Sequence, residues 1–198
     1  MDLLGAAFYA RDAKTVANEL LGKLLIREVD GGRRILRITE TEAYLGAEDP
    51  ACHGYQNRRT PRTEVMFGRG GHCYIYLIYG MHYLLNAVTG EEGDPSAVLI
   101  RAGEPVEGVD AMAQSRFGLP WGELSKGRRK SLCDGPGKLA KALEITQEQN
   151  GLPLTGSQLY ICREKEGRPF QIKAGPRIGI GYAGEAVNWP LNFVCQYE

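Results

Sequence analysis

Apolar and polar positions along this 198-residue chain fall into short runs of two different periods. Residues 12–21, DAKTVANELL, carry Val16, Leu20 and Leu21 as an apolar stripe at helical spacing; Asp12 stands where an N-cap belongs and Gly22 where a helix stops. Residues 23–29 and 34–45 read as two strands joined by the turn Asp30-Gly31-Gly32. Residues 73–78 (CYIYLI) and 82–88 (HYLLNAV) are strongly β-prone, with Tyr79-Gly80-Met81 between them as a hairpin tip. The rest reads as a strand over 96–102, a long loop with some helix over 112–134, a helix over 137–149, and short strands at 157–163, 176–181 and 190–196. No linker, repeat or low-complexity tract divides the chain, and its length suits one domain, 1–198, better than two. The pattern predicts a single α/β (α+β) domain, a mixed sheet with flanking helices.

One strand changes character along its length. In ILRITETEAYLG, residues 35–46, simple alternation puts Leu36, Ile38, Glu40, Glu42 and Tyr44 on one face. That face begins apolar, then carries two carboxylates, then an aromatic. Either the strand runs out of the core into a cleft, where burial or a nearby cation perturbs the carboxylates, or its end simply reaches solvent. The segment alone leaves both open.

Composition narrows the class without choosing a function. Hydrophobic residues at 43% and charged residues at 24% describe an ordinary globular protein. No apolar run approaches the length of a bilayer span, and the N-terminus MDLLGAAFYARDAK lacks the basic start and long apolar core of a secretory signal. The expectation is a protein with no membrane partner, cytoplasmic and at the nucleoid if the source is bacterial. Five cysteines without regular spacing argue for a reducing compartment rather than a disulfide framework. Cys52-His53 and His72-Cys73 lack C-x-x-C spacing, and neighbours in extended chain point to opposite sides, so no metal is expected. The formal net charge is zero, yet the charge is segregated. Trp121–Lys141 carries Lys126, Arg128, Arg129, Lys130, Lys138 and Lys141 against Glu123 and Asp134; Gly54–Gly71 carries Arg58, Arg59, Arg62 and Arg69 against Glu64. Such segregation fits a basic face on a neutral molecule, or solvated loops of mixed charge.

Six segments taken together narrow the reading further: ETEAYLGAEDPACH (40–53), RRTPR (58–62), MFGRGGHCYIYLIYGMHYLLN (66–86), VLIRAGEP (98–105), GPGKL (135–139) and RIGIGYAGE (177–185). In this order and at this separation they resemble the alkyladenine (3-methyladenine) DNA glycosylase family, over nearly the whole chain. The resemblance implies a single α/β domain with a mixed, largely antiparallel sheet and a protruding β-hairpin. It implies a monomer that needs no cofactor or metal, binds double-stranded DNA containing damaged purines, flips the lesion out and hydrolyses its glycosidic bond.

The same resemblance assigns roles by position. Glu42 matches the carboxylate that activates the attacking water, with Glu40 as a structural neighbour, and Arg101 the arginine that helps hold that water. Tyr44 and Tyr76 match pocket aromatics that sandwich the base, with His53 hydrogen-bonding it, Asn86 excluding guanine through its 2-amino group, and Ile180 at the apolar pocket edge. Tyr79 matches a wedge that fills the gap left in DNA, supported by Met81; His82 follows where a second aromatic would be usual. Arg58, Arg62, Arg129, Lys130 and Lys138 are candidate phosphate contacts. GPGKL lacks the glycine spacing and the following Ser/Thr of a nucleotide-binding P-loop. The alternative is a module that binds damaged DNA without cutting, in which Glu42 would be idle.

Overall fold

The protein is described by a computed structural model covering residues 1–29 and 32–197. Asp30 and Gly31 of the expected turn lie outside the described residues. The chain enters through β1 (Asp2–Leu3) and one helical turn, α1 (Ala6–Tyr9), both too short to leave a periodic signal. Next comes α2 (Ala13–Leu20), which buries Ala13, Val16, Ala17 and Leu20 and is capped by the Asp12 carboxylate, which accepts the Thr15 amide at 2.8 Å. β2 (Leu24–Val29) and β3 (Gly32–Tyr44) follow, then β4 (Cys73–Ile78), β5 (His82–Val88) and β6 (Ala97–Glu107).

The stretch over 112–134 expected as loop with some helix holds most of α3 (Val109–Phe117) and α4 (Lys126–Lys130). The helix expected over 137–149 is shorter, α5 (Pro136–Ala142). It stops because Glu144 turns left-handed at φ +51°, and the Ile145 amide bonds back to the Ala140 carbonyl at 2.9 Å. The Glu144 carboxylate is held there by Ser115 at 2.6 Å and Arg34 at 2.8 Å. β7 (Leu159–Arg163), β8 (Phe170–Gly175) and β9 (Asn192–Tyr197) complete the sheet. The strand expected at 176–181 is a loop, because Gly179 takes φ +78° and breaks the extended chain; the ladder instead uses residues just before it.

Every pairing among the described strands is antiparallel. The order runs β1-β7-β2-β3-β6-β5-β4, with β9 joining β3 and β8 joining β9. β3 is therefore shared: its first half pairs with β2 over Gly32–Arg37, and its second half pairs with β9 over Glu40–Glu42. One face of the sheet is covered by helices. There Val16, Ala17, Leu20, Met112, Leu139 and Leu143 pack against Leu25, Leu36, Ile38, Leu85, Val98 and Ile100 in one core. Among the described residues no helix is long and apolar enough to cross a membrane.

The sheet divides where β3 is irregular. Ile38 faces Gly103 and Glu40 faces Ala102, which leaves Thr39 without a partner across the ladder; one step later Arg101 is the unmatched residue on β6. A bulge reverses the alternation beyond it. Leu36 and Ile38 point into the helix-covered core, and beyond the bulge so do Thr41, whose hydroxyl donates to the Ala17 carbonyl at 2.9 Å, and Ala43. Glu40, Glu42 and Tyr44 are thereby turned to the opposite face, not the face of Leu36 and Ile38 that simple alternation predicts.

This reversal has a direct test. Thr41→Glu places a carboxylate without a partner beneath α2, a loss of several kcal/mol. For a domain of this size the melting temperature should fall by about 10 °C or more. Wild-type melting in that variant would mean that Thr41 faces the cleft and that alternation continues through the strand.

Candidate active site

Glu42 has no exposed side-chain surface. It sits near the end of β3, on the face away from the helices, and several groups donate to it. The Ile178 amide donates to Oε1 at 2.7 Å, the Asn192 amide group to the same oxygen at 3.3 Å, and the Tyr44 hydroxyl to Oε2 at 2.9 Å. The Arg101 guanidinium lies 3.4 Å from Oε1. Burial, then the charge of Glu42, pushes the Tyr44 phenol far above its usual range, so Tyr44 keeps its proton and acts as donor. Glu40 stands beside this group and takes the shorter bonds: Arg101 Nε at 3.0 Å and Asn192 Nδ2 at 2.7 Å. Arg101 and Asn192 thus bridge two carboxylates.

Behind this cluster runs a second ion pair that the sequence reading did not single out. Arg177 and Asp49, both without exposed side-chain surface, are joined through Arg177 Nη1 to Asp49 Oδ2 and through Nη2 to Oδ1 at 2.8 Å. Arg177 also donates to the Ala43 carbonyl at 3.0 Å and lies over the Tyr44 ring, 4.8 Å from its centroid. The pair fixes the loop after β8 against the end of β3. That loop carries the Ile178 amide that Glu42 needs.

In front of Tyr44 an aromatic cavity of about 40 Å³ is lined by Tyr44, His53, Tyr74, Tyr76, Asn86 and Tyr182, among others. Tyr74 is 1% exposed and its hydroxyl lies 2.8 Å from His53 Nδ1. His53 meets Tyr76 edge-on at 4.7 Å between ring centroids. Asn86 is buried and donates to the Tyr74 carbonyl at 3.0 Å. Ile180 packs with Ala51, Ala183 and Ala186 beside Tyr44, one layer behind the cavity surface. A wider groove of about 590 Å³ adjoins the cavity and shares Ala51, Cys52, His53 and Tyr182 with it.

The hairpin β4–β5 projects as expected. Tyr79 and Gly80 both take left-handed backbone, at φ +53° and +67°, and the Met81 amide closes the turn onto the Ile78 carbonyl at 3.2 Å. Tyr79 is 84% exposed and Met81 70%, so the tip does not fold back on the core. The candidate phosphate contacts divide into two kinds. Arg58 and Lys130 are exposed, with Arg58 lining the groove. Arg62 also lines the groove, its guanidinium 5.0 Å from the Tyr76 centroid. Arg129 is tied to the Trp121 and Gly122 carbonyls, at 3.2 and 2.8 Å, and Lys138 to Asp134 at 2.7 Å.

Sequence reasoning missed Tyr74, Asp49, Arg177, Tyr182, Asn192 and the Ile178 amide. Asp49, Arg177 and Tyr182 lie inside segments that drew attention, EDP and RIGIGYAGE. A buried arginine and its distant carboxylate, however, leave no local pattern. A main-chain donor leaves none at all.

Comparison with known proteins gives a consistent picture. A family model described as methylpurine-DNA glycosylase (MPG) matches residues 7–198. A protein of Desulfitobacterium hafniense is 50% identical over 99% of this chain and 96% of its own length. A Bacillus cytotoxicus protein is 49% identical over 96% of this chain and 94% of its own, and a Clostridium acetobutylicum protein 47% identical over 94% and 90%. Each of these relatives is provisionally named a 3-methyladenine DNA glycosylase.

The cavity makes His53 an informative probe. Burial, with the Arg62 charge adding to it, lowers the imidazole from 6.5 to about 4. The unfolded chain then binds more protons than the folded one between these two values, so this group's contribution to stability rises with pH across that window and is flat above it. The His53 ring resonances should show no titration from about pH 5.5 to 8, and melting should fall as pH drops from 6.5 towards 4. A His53 midpoint near 6.5 by NMR would contradict its half-buried placement against Tyr74 and Tyr76.

Proposed function

This chain belongs to the methylpurine-DNA glycosylase family and is a DNA glycosylase; from that premise we propose that it flips alkylated purines out of double-stranded DNA and removes them by hydrolysis at Glu42. The observation that carries this reading is a fully buried carboxylate, surrounded by donors, behind an aromatic cavity. A purine alkylated at N3 or N7 is a cation while attached to the sugar and leaves as a neutral molecule, with the glycosidic electron pair. The departing bond gives C1′ oxocarbenium character, which a nearby carboxylate stabilises. Water then adds to C1′ as its proton passes to Glu42. One carboxylate is enough because a cationic base needs no acid to leave, unlike the paired carboxylates of O-glycosidases.

The supporting residues follow from the same chemistry. Tyr44 and Tyr76 present electron-rich faces to a cationic ring, an attraction of about 0.5–2 kcal/mol at such sites. Arg101 holds water and carboxylate together, His53 and Asn86 read the edge of the base, and Ile180 backs the pocket. Tyr79 fills the gap in the stack with Met81 beside it. Arg58, Arg62, Arg129, Lys130 and Lys138 meet phosphates; of these Arg58 and Lys130 are the freest to do so, while Arg129 and Lys138 would first exchange an existing partner. Of the substrates, 3-methyladenine and 7-methylguanine fit the cation argument directly. Hypoxanthine and ethenoadenine extend it to neutral bases. The protein acts as a monomer on duplex DNA. The described groups bonded to Glu42 include no amine, so no Schiff base forms and the product is an abasic site.

Glu42→Gln tests the assignment. The variant should lose base release by about two to four orders of magnitude, the usual contribution of a general base, and keep its affinity for lesion-containing duplex. Wild-type turnover in Glu42→Gln would remove Glu42 from the chemistry.

A further inference from the structure

The aromatic cavity is the narrow inner end of the recess, about 40 Å³ against about 590 Å³ in the adjoining groove. A flipped base gains room there if part of the wall moves. Most of the wall is tied down: Tyr44 is bonded to Glu42 and lies under Arg177, Tyr74 is buried and bonded to His53, and Asn86 is held on the Tyr74 carbonyl. Arg62 is exposed but lines the outer groove, not the cavity.

Tyr182 is different. Its side chain lines both the cavity and the 590 Å³ groove, so it stands in the partition between them. It is 70% exposed, and its hydroxyl reaches the Ala51 carbonyl only at 3.4 Å. It lies on a segment between two fixed points, the buried Arg177–Asp49 pair and the buried Ala183 and Ala186. Between and beside those points are Gly179, Gly181 and Gly184; none has a heavy atom within 4 Å of where a Cβ would sit, and Gly179 and Gly184 take φ +78° and +58°. The segment has both the backbone freedom and the space to pivot. It also carries Ile178, whose amide donates to Glu42.

We propose that Tyr182 is a gate and a specificity-determining ring: it swings off Ala51 to join cavity and groove, then closes on the captured base as a further aromatic wall. The inference rests on the base-flipping reading above. A cationic purine holds the ring closed through its π face, and a neutral or undamaged base does so less well.

The experiment compares wild type, Tyr182→Ala and Tyr182→Phe on duplexes carrying one 7-methylguanine or one hypoxanthine, by single-turnover base release over a range of enzyme concentrations. For the cationic lesion, Tyr182→Ala should raise the half-saturating concentration about tenfold, equivalent to about 1.4 kcal/mol and within the range for base–aromatic stacking. The change for hypoxanthine should be smaller, so selectivity for the cation narrows. Tyr182→Phe keeps the ring and should recover most of the loss. Melting temperatures should stay close to wild type, because an exposed side chain contributes little to the core. An active wild type with unchanged affinity and selectivity in Tyr182→Ala overturns the gate alone. A wild type that releases neither base overturns the underlying function, and the gate with it.

Discussion

A carboxylate cannot be buried at zero exposure unless its charge is met from several directions, because an unpaired buried charge costs more than a domain's whole margin of stability. Glu42 imposes that condition on this fold. Its donors come from β3 itself through Tyr44, from β6 through Arg101, from β9 through Asn192, and from the loop after β8 through the Ile178 amide. The unusual features of the sheet follow from bringing these four elements to one point. β3 must exchange one neighbour for another halfway along, and the bulge at Thr39 does so while turning the acidic half of the strand away from the helices. The Arg177–Asp49 pair then pins the loop that supplies the amide.

The same arrangement explains how one domain combines a tightly bonded centre with an exposed rim. Polar groups around Glu42 are mutually satisfied, and such networks hold geometry because every displacement leaves a partner unmet. The residues that reach outward are exposed and lightly held: Tyr79 and Met81 at the hairpin tip, Tyr182 in the cavity wall, Arg58 in the groove. The proposed capture of a flipped base would use this division, since the chemistry requires fixed distances and the capture requires movement. Net charge contributes little by itself at zero overall. Its local distribution matters more, with Arg58 and Arg62 lining the groove.

Much of this was legible in the sequence, and the exceptions share a cause. α2, the β4–β5 hairpin and the carboxylate-bearing strand followed from periodicity and turn chemistry, since each is decided by neighbours a few residues apart. Periodicity placed Glu42 on a strand but gave it the wrong face, because a one-residue bulge is invisible to a rule of period two. The second helix was read too long because Glu144 is an ordinary helix former; in the folded chain it turns left-handed, with its carboxylate bonded to Ser115 and Arg34. Arg177 and Asp49 are 128 positions apart in the chain. Asn192, Tyr74 and the Ile178 amide were missed for a related reason: their importance lies in what they touch, and the Ile178 donor is not a side chain. Tyr79 and Met81 were placed correctly at an exposed tip because the Tyr-Gly-Met turn is itself a local signal.

The central proposal is that Glu42 activates the water that releases the base, and that no strand-cutting chemistry accompanies it. The most direct test is to incubate the wild-type protein with duplex DNA carrying 3-methyladenine and follow free base, backbone integrity and borohydride-trapped adducts in the same reaction. The account predicts free 3-methyladenine matched by abasic sites, in DNA whose backbone remains whole until treated with alkali, and no trapped protein–DNA species. Absence of free base, or a covalent adduct formed during turnover, would contradict it.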